Sequence, residues 1–501
     1  MEIFEKVLYG FQIAVLPMNL VACFIGVSLG TFIGVLPGLG PIATISILFP
    51  ITLTMPPETA IIMLAGIFYG AQYGGSTTSI LVNLPGEATS VITTLDGYKM
   101  ATQGRGGPAL AIAAIGSFIG GTLALGGVMF LSAPLANFAL RFGPPEYCAL
   151  IFLALTIVTS LAVGSPLRAA ISATLGMLVG IVGMDMHTGT PRFTMDVRTY
   201  YDGIDLVPVI MGLFGVGQIL CNLEKRMGFD TVNVAIGKVW PSMRDWVDSR
   251  MPILRGSVVG FFLGLIPGGG ALIATFASYA LEKRLSRHPE KFGHGAIEGV
   301  AGPETANNAG AQACFIPLLS FGIPSNAATA VLLGALTIHG IAPGPMLVNQ
   351  HPEIFWGIIT SMYIGNIMLV ILNLPLIGVW IQVLKMPNKF LFPLILLFCM
   401  VGVYCTNNNV VDIFTMVFFG FVGYLMEKFN FEPAPFVIAM VLGRIFEDSF
   451  RQSLTMSDGS FGIFFSRPLS AVFVITALLV LVGYLFAFSR KRKQKIMGVA
   501  E

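Results

Sequence analysis

The feature that most constrains this chain is a series of apolar stretches, each about as long as the 20 residues that an α-helix needs to cross a bilayer. These stretches lie near residues 107–134, 145–163, 166–183, 206–223, 352–382 and 468–488. The 501-residue chain is 55% hydrophobic and only 11% charged, whereas a soluble domain carries about 25% charged residues. The sequence therefore predicts an all-α polytopic membrane protein with about 10–12 transmembrane helices.

Charge and cysteine content argue against several other classes of protein. The formal net charge is +2, and the basic residues collect beside the apolar stretches and in the tail Arg490–Lys495. Basic residues in these positions are the usual orientation signal of a membrane protein, so we expect no nucleic-acid partner. The cysteines show no CxxC spacing and lie in or beside apolar stretches, so they are interpreted as small core residues. These six residues are Cys23, Cys148, Cys221, Cys314, Cys399 and Cys405.

Two apolar stretches are interrupted by proline and glycine where a membrane helix is usually continuous. They read "TFIGVLPGLGPIAT" over 31–44 and "FFLGLIPGGGALIAT" over 261–275, and they align without gaps at an offset of 230 residues. Further along the chain, "NLPGEATS" (83–90) aligns with "GIPSNAAT" (322–329). Because the order of these segments is the same in both halves, the sequence indicates an internal duplication.

Basic residues indicate how the two copies are oriented, since short cytoplasmic loops collect Lys and Arg. The central loop 224–255 contains six such residues, which places it inside. The interrupted stretch 256–282 has basic residues on both flanks, so it is predicted to enter from the cytoplasm and return there as a helical hairpin. The corresponding stretch 20–56 has no basic flank and is predicted to open outward. The two copies are therefore predicted to be inverted-topology repeats.

The predicted organisation follows from that orientation. The first repeat is 1–223, with its hairpin at 20–56 and a discontinuous helix at 59–98, and a cytoplasmic linker follows at 224–255. The second repeat is 256–446, with its hairpin at 256–282 and a discontinuous helix at 299–342. Residues 447–501 form a final transmembrane helix and a basic cytoplasmic tail, although 433–446 is short for the span that this requires.

Helix interruptions within a membrane create binding groups. Unpaired backbone N–H and C=O groups are costly in hydrocarbon and persist only inside protein or around a wet cavity. Helix N-termini favour anions, whereas hydroxyl and amide oxygens suit a small cation. Inverted repeats with such interruptions are typical of secondary transporters. The predicted substrate-binding residues are Gly38, Leu39, Gly40, Pro41, Thr44, Ser76, Thr77, Asn83, Pro85, Gly86, Gly268, Gly269, Gly270, Pro324, Ser325 and Asn326. The predicted coupling-cation residues are Thr78, Glu87, Thr89, Asn307, Asn308 and Thr329.

Each of these residue types also has a simpler interpretation. Ser and Thr in membrane helices often bond to their own backbone, and Gly often permits tight helix packing. Glu87 either caps the turn that follows it or titrates with a coupling proton. Asp96 is expected near the cytoplasmic end, and Glu298 and Glu304 are expected to flank the entrance to the second repeat rather than form a site.

The motifs resemble those of one transporter family. The segments are "GTFIGVLPGLGPIAT", "YGGSTTSILVNLPGEATSVITTLDGY", "GPALAIAAIGSFIGG", "GPETANNA" and "ATAVLLGALTIHGIAPGP". With them the chain resembles, over nearly its full length, the large membrane subunit of the tripartite tricarboxylate transporters, the TctA type. The resemblance implies an elevator-type fold and an ion-driven importer of carboxylates in the bacterial inner membrane. It also implies two partners, a small four-helix membrane subunit (TctB type) and a periplasmic substrate-binding protein (TctC type). The segment "GIPSNAAT" departs from the commoner family pattern after its proline, which leaves the substrate open.

The predicted function is a binding-protein-dependent secondary transporter that imports tricarboxylates or related carboxylates, coupled to Na⁺ or H⁺ and using no other cofactor. The outer loop 185–205 is the predicted docking site for the binding protein, and a homo-oligomer is left open. One alternative is a passive anion channel. Another is an intramembrane enzyme, which is disfavoured because the sequence contains neither HExxH nor GxGD.

Overall fold

The chain is almost entirely helical in the computed structural model, which describes residues 3–36, 41–83, 85–160, 165–185, 187–224, 238–267, 270–383 and 388–496. The first six helices are α1 (Ile3–Ala14), α2 (Pro17–Val35), α3 (Pro41–Thr52), α4 (Pro57–Val82), α5 (Thr93–Met100) and α6 (Gly106–Ala139). Next come α7 (Pro144–Ser160), α8 (Pro166–Gly180), β1 (Gly183–Met184), β2 (Pro191–Arg192), α9 (Leu206–Ile210) and α10 (Gly217–Glu224). The central elements are α11 (Met243–Gly264), α12 (Gly270–Leu285), α13 (Glu298–Ala313), α14 (Phe315–Phe321), α15 (Ala327–Ile338), α16 (Leu347–Gln350) and α17 (Pro352–Asn373). The last are α18 (Ile377–Val383), α19 (Asn388–Asn407), α20 (Val410–Lys428), α21 (Pro433–Met456), α22 (Ile463–Ser466) and α23 (Pro468–Ile496).

Helix length and composition confirm the predicted all-α polytopic membrane protein. Within the described residues, four helical segments are long and apolar enough to cross a bilayer: α2, the continuous segment Thr93–Ala139, α17 and α20. Five further apolar helices have 10–17 residues. The strands β1 and β2 form a two-residue antiparallel ladder, which is a minor addition to the helical fold. The number of spans and the inverted orientation of the repeats stay predictions.

The chain forms two compact units. The first comprises Met1–Ala139 and Asp205–Lys428, and the second comprises Leu140–Ile204 and Phe429–Glu501. The predicted first repeat contributes residues 140–204 to the second unit, and the predicted second repeat contributes 429–446 to it. Each repeat thus supplies chain to both units. Both predicted hairpins and both helix interruptions belong to the first unit.

Two helix pairs in the first unit are packed through glycines. α2 packs along α4, and α11 packs along α13. In each pair three glycines, one helical turn apart, face main-chain atoms of the partner helix. They are Gly26, Gly30 and Gly34 against Met63, Ile67 and Ala71, and Gly256, Gly260 and Gly264 against Gly302, Ala306 and Gly310. A side chain at these six positions would collide with the partner backbone, so the simpler interpretation, tight helix packing, accounts for these glycines.

Within the second unit, α21 packs against α7 and α8, and α23 packs against α7. The helix α21 has 24 residues and continues past residue 446 to Met456, beyond the apolar stretch from which its length was predicted. Its added turns contain Glu447, which is ion-paired with Arg192, and Arg451, which is ion-paired with Asp185. Both partners lie in the loop between α8 and α9. The apolar pattern stops before the helix does, because the last turns of α21 carry charged residues. These residues are stabilised by ion pairs with the loop.

Candidate functional site

The two aligned interruptions have the same backbone conformation. α4 ends at Asn83 with φ 60° and ψ 25°, and α14 ends at Gly322 with φ 69° and ψ 26°, so both helices stop in the left-handed region. Four residues later, Glu87 (φ −148°, ψ 169°) and Asn326 (φ −155°, ψ 175°) are extended N-cap residues. Each is part of a reciprocal capping box, with Ser90 and Thr329 as the respective partners. The two breaks therefore differ mainly in the capping side chain, which is a carboxylate in one and an amide in the other.

The first break is a return loop and not a simple gap between collinear half-helices. After Asn83 the chain turns back, and its next helix, α5, lies beside α4. Thr89 is hydrogen-bonded to Gln72 at 2.9 Å, and Gly97 lies against Ile80. The return segment thus places the residues that follow the break beside the middle of α4 and not beyond its end.

The second arm of each predicted hairpin contacts an element beside the break of the other predicted repeat, and α15, after the second break, also contacts α4, before the first. α3, the second arm of the first hairpin, contacts α15, which follows the second break. α12, the second arm of the second hairpin, contacts the 3₁₀ turn Ala88–Ser90, which follows the first break. α13 contacts α4, α5 and the same turn. This packing encloses a cluster of polar side chains that belong to both predicted repeats, which we call the polar centre: Gln72, Tyr73, Ser76, Glu87, Thr89, Thr93, Ser117, Glu304, Asn307 and Asn308.

Glu304 lies in the interior of the polar centre. Its relative exposure is 0%, and its carboxylate accepts hydrogen bonds from the hydroxyls of Ser76 on α4 and Thr93 on α5. Glu304 was predicted to flank the entrance to the second repeat, whereas the structure buries it against helices of the first. One signal was available: a carboxylate at 304 with amides at 307 and 308 forms a polar stripe at helical spacing.

Glu87 lies in the same cluster, as its position in the first break suggested. Its Oε1 accepts a hydrogen bond from Thr89 and lies 3.4 Å from Nδ2 of Asn307 on α13. Thr89 is also within hydrogen-bonding distance of Gln72. Glu87 therefore both caps its turn and contacts the second repeat, so the capping interpretation alone does not account for its contacts.

The other polar residues leave buried hydrogen-bonding capacity unused. Asn308 donates to Ser117 at 2.7 Å, and its Oδ1 has no partner within the described residues. The same holds for Oδ1 of Asn307, which is also fully buried. A small cavity of about 10 Å³, lined by Tyr73, Ser76, Thr77, Ser117 and Asn373 together with three apolar residues, lies beside Ser117, the partner of Asn308. Unpaired buried amide oxygens beside a polar cavity are the arrangement expected where water or an ion binds.

The second break has a neutral polar surrounding. Asn326 accepts a hydrogen bond from the backbone N–H of Thr329 at 2.9 Å and also interacts with the thiol of Cys314. Ser325 and Gln312 are buried, and their side-chain polar atoms have no partner within the described residues. The helix that starts here, α15, has 12 residues. Its N-terminus, unlike the first break, has no carboxylate in its cap.

Several predicted residues have structural contacts of their own. Thr78 donates a hydrogen bond to the carbonyl of Val35 at 2.6 Å, which ties α4 to the end of α2. Pro41 and Gly270 are the first residues of α3 and α12, and Thr44 lies buried in α3. Asn83 is exposed, whereas Pro324 is buried. Gly38, Leu39, Gly40, Gly268 and Gly269, the predicted hairpin tips, lie outside the described residues, as does Leu84.

Ion pairs within the described part of the chain lie elsewhere. Arg255 pairs with Glu282, and Arg105 pairs with Asp245. Neither Glu87 nor Glu304 has a Lys, Arg or His within salt-bridge distance among the described residues. A fully buried carboxylate without a cationic partner is very costly, so the surroundings of Glu304 favour its neutralisation.

Asp96, on α5, accepts hydrogen bonds that fix the loop before α13. Its Oδ1 accepts from the backbone N–H groups of Gly293, Gly295 and Ala296 at 2.8–2.9 Å, and its Oδ2 accepts from Tyr279 at 2.9 Å. This loop borders a wider charged cavity of about 790 Å³. The cavity is lined by residues of the predicted cytoplasmic side, and the predicted binding residues are not among them.

The fold and the cluster of polar groups at paired helix breaks define a polytopic helical membrane protein with an interior polar centre. The model of the tripartite tricarboxylate transporter TctA family matches residues 20–438. The chain belongs to this family, which is a family of transporters and supplies one part of tripartite systems that also contain TctB and TctC proteins.

Relatives with curated sequences have no assigned function. An uncharacterized 52.8 kDa protein of Agrobacterium vitis, from the TAR-I ttuC′ 3′ region, is 47% identical over 496 residues, which cover 99% of each chain. A second uncharacterized protein of that organism, from the TAR-II ttuC′ 3′ region, is 45% identical over 47% of this chain and 98% of its own length. An uncharacterized protein of Methanocaldococcus jannaschii is 24% identical over 53% of this chain and 63% of its own. No solved structure matches the chain.

Proposed function

We propose that the chain is the large permease subunit of a cation-coupled carboxylate importer. The observation that supports this best is the pair of matching helix breaks, one capped by a carboxylate and the other by an amide, in elements that contact one another. A site that carries an anion and a cation together across lipid needs a negative group for the cation and a neutral polar group beside the anion. The two breaks supply them from the two predicted repeats.

The substrate carboxylates bind at the second break in this proposal. The N-terminus of α15 presents backbone N–H groups and partial positive charge, which favour anions. The unpaired hydroxyl of Ser325, which adjoins the cap residue Asn326, is buried there and adds a neutral donor. Pro324, Ser325 and Asn326 form this part of the site, and Pro41, Thr44, Ser76, Thr77, Asn83, Pro85, Gly86 and Gly270, with the hairpin tips, complete the predicted substrate set.

The coupling cation, Na⁺ or H⁺, binds on the side of the first break. Thr89 and Asn307 both contact Glu87 there, and Glu304 lies one turn from Asn307 on α13. A cation beside these groups compensates charge that would otherwise be costly to move through a low-dielectric interior. Asn308, Thr78 and Thr329 complete the predicted cation set. No other cofactor is required, and no enzymatic step is proposed.

The proposed partners are those of the family's tripartite systems. A small TctB-type membrane subunit and a periplasmic TctC-type binding protein assemble with this chain in the bacterial inner membrane, and the C-terminal tail lies in the cytoplasm. The outer loop 185–205 docks the binding protein. Its exposed Phe193 and Met195 give this loop an apolar surface beside its charges.

The substrate site is tested by changing the charge of the α15 cap. Asn326→Asp keeps an effective N-cap, since Asp and Asn cap equally well, but it places a negative charge where a carboxylate is proposed to bind. We expect the KM for labelled carboxylate uptake to rise at least about tenfold, because like charges brought together cost more than about 1.4 kcal/mol. Uptake is measured in proteoliposomes that contain both membrane subunits, with the binding protein outside.

The matched control is Asn349→Asp, which adds the same charge to an exposed residue of α16. An unchanged KM in Asn326→Asp would contradict the substrate site. Saturable uptake that requires a Na⁺ or pH gradient separates the transporter from a passive channel. Equal accumulation without either gradient would contradict cation coupling.

A further inference from the structure

We propose that Glu304 is the group that carries a coupling proton through the transport cycle. This rests on the proposed function, because it names the coupling ion and the residue that holds it. Three features support it: the hydrogen-bonding choices of Ser76, the charges around Glu304 and the polar cavity beside it.

The first feature is that the surroundings of Glu304 suit both of its protonation states. The hydroxyl of Ser76 has two acceptors within reach, Oε2 of Glu304 and the backbone carbonyl of Gln72 at 3.1 Å. When Glu304 is ionised, Ser76 donates to the carboxylate. When Glu304 is protonated on Oε2, that O–H donates to Ser76, and Ser76 donates to Gln72 instead. Thr93 donates to Oε1 in both states. Protonation therefore leaves no buried donor or acceptor unpaired, which removes the main penalty of such a change.

The second feature is the charge that faces Glu304 from each neighbouring element. Tyr73 on α4 and Glu87 before the 3₁₀ turn are the nearest titratable groups, and neither supplies positive charge. On α5, Asp96 is engaged by Tyr279 of α12 and by the loop before α13. The side chain of Arg255 on α11 is held by Glu282 of α12. α6 and α14 contain no charged residue. Lys99 on α5 is exposed, and no described Lys, Arg or His lies within salt-bridge distance of Glu304, which favours protonation over a permanent anion.

The third feature is a polar path towards Glu304. The small cavity described above is lined by Ser76, the hydrogen-bond partner of Glu304. On the other side, Asn307, with a buried unpaired Oδ1, lies between Glu304 and Glu87. Glu87 is less buried than Glu304, which is fully enclosed. Glu87, the less buried carboxylate, supplies the proton, and Glu304, the enclosed one, retains it.

The step itself is a simple proton transfer. A proton enters from hydronium on the side of lower pH by way of the Glu87 carboxyl: the O–H bond to Glu87 breaks as the new O–H bond to Glu304 forms, Glu87 is left as the carboxylate that hydronium protonates again, and no other covalent bond changes. The neutral acid moves with the bound carboxylate substrate. On the other side the O–H bond breaks, the proton leaves to water, and the carboxylate again accepts from Ser76.

The test uses Glu304→Gln, which has the shape of the protonated acid. Its Nε2 donates to Ser76 and its Oε1 accepts from Thr93, so the fold should persist. In proteoliposomes with both membrane subunits and the binding protein, wild type is expected to accumulate carboxylate about tenfold per coupled proton for a difference of about one pH unit. Glu304→Gln should lose this accumulation while it still assembles into the purified complex, whereas Glu298→Gln should keep it. Citrate is the first probe, followed by other labelled di- and tricarboxylates.

A substrate-independent measurement accompanies the transport assay. Infrared difference spectra of the purified complex, recorded during a pH titration, report the C=O band of a protonated carboxyl group. That band should disappear in Glu304→Gln and remain in the matched control Glu298→Gln, which changes a half-buried glutamate at the start of the same helix. Added Na⁺ at constant pH should leave the band unchanged.

The outcomes separate the two proposals. If Glu304→Gln still accumulates carboxylate, or if the band persists in it, or if Na⁺ releases the proton, the assignment of Glu304 is overturned while the importer stands. If wild type neither exchanges nor accumulates any of the carboxylates, the proposed function fails. In that case the infrared band alone still decides whether Glu304 binds a proton.

Discussion

At the scale of single residues, Gly86 shows how closely the first break is packed. A Cβ at this position would collide with the carbonyl oxygen of Gly34 and lie 2.5 Å from Cα of Gly75. Three glycines from α2, α4 and the return loop therefore meet through their backbones. Gly86 was predicted as a binding residue, and its contacts show that it is also required for the loop to approach the two helices.

The prediction for Gly86 is a loss of stability from one added methyl group. Gly86→Ala should destabilise the protein by about 1–3 kcal/mol, because main-chain atoms cannot move aside as a flexible side chain would. The control is Gly378→Ala on α18, where nothing lies within 4 Å of the added Cβ. That variant should be neutral or stabilised by about 0.5–1 kcal/mol, since alanine favours a helix. Thermal unfolding in detergent measures both. Equal melting temperatures for Gly86→Ala and wild type would contradict the close packing.

The residues of the polar centre differ in how far the sequence could predict them. Glu87 was identified because it follows a Pro-Gly break, and this is a local signal. Glu304 was assigned to the entrance of a repeat because its partner Ser76 is 228 positions away, and no local pattern reports such a contact. The hydroxyls of Ser76 and Thr93 were visible as polar residues in apolar surroundings, but their common acceptor was not.

At the scale of elements, the loop between α8 and α9 is held by a network of ion pairs. Asp185 accepts hydrogen bonds from the backbone N–H of His187 at 3.0 Å and from Thr188 at 2.8 Å. It is also paired with Arg192 and, at 3.3 Å, with Arg451. The backbone N–H of His187 and then the Arg192 guanidinium hold the pKa of Asp185 well below its ordinary value.

This lowered pKa predicts a pH-dependent contribution to stability. Because the pKa of Asp185 is lower in the folded state than the ordinary value of about 3.9, its carboxylate stabilises the fold fully above about pH 5 and progressively less as the pH falls towards the folded-state pKa. Asp185→Asn should therefore lower the melting temperature at pH 7, and the difference from wild type should shrink below about pH 4.

Asp202→Asn, on an exposed residue of the same loop, is the matched control and should have little effect at either pH. A difference between Asp185→Asn and wild type that stays constant down to pH 3 would show that the charge of Asp185 is not what stabilises the loop.

Helix positions were more predictable than their connections. The predicted stretches 107–134, 145–163, 166–183, 352–382 and 468–488 all contain helices, because an apolar run of this length has few alternatives in lipid. The return loop after α4 was not predicted, since proline and glycine mark a break without fixing the direction in which the chain continues. α11 begins at Met243, inside the predicted linker, because Ser242 and Asp245 form a capping box.

At the scale of the whole molecule, the inverted orientation of the two repeats is the prediction that most needs a direct measurement. Single cysteines at Thr54, after the first hairpin, and Arg287, after the second, are both exposed positions. The native cysteines in the described part of the chain are buried, so they should contribute little labelling by the maleimide. They are Cys23, Cys148, Cys221, Cys314 and Cys399. Thr54→Cys should react with a membrane-impermeant maleimide on intact cells, and Arg287→Cys should react only after the membrane is opened.

Lysed cells provide the control, because both variants must then be labelled to the same extent. If both cysteines react on intact cells, or neither does, the two hairpins open to the same side. The repeats would then be parallel, and the assignment of the two breaks to opposite orientations would be wrong.

The glycine contacts along α2 and α4, and along α11 and α13, limit how this molecule can move. Each glycine fits between carbonyl groups that recur every four residues, so the smallest shift that restores the fit is about 6 Å along the axis. Smaller slides would force backbones into one another. The first arm of each predicted hairpin, α2 or α11, can therefore shift along its neighbour, α4 or α13, only by whole repeats of this spacing. Any opening of the site has to come from the second arms, α3 and α12, or from displacement of each locked pair as one rigid piece.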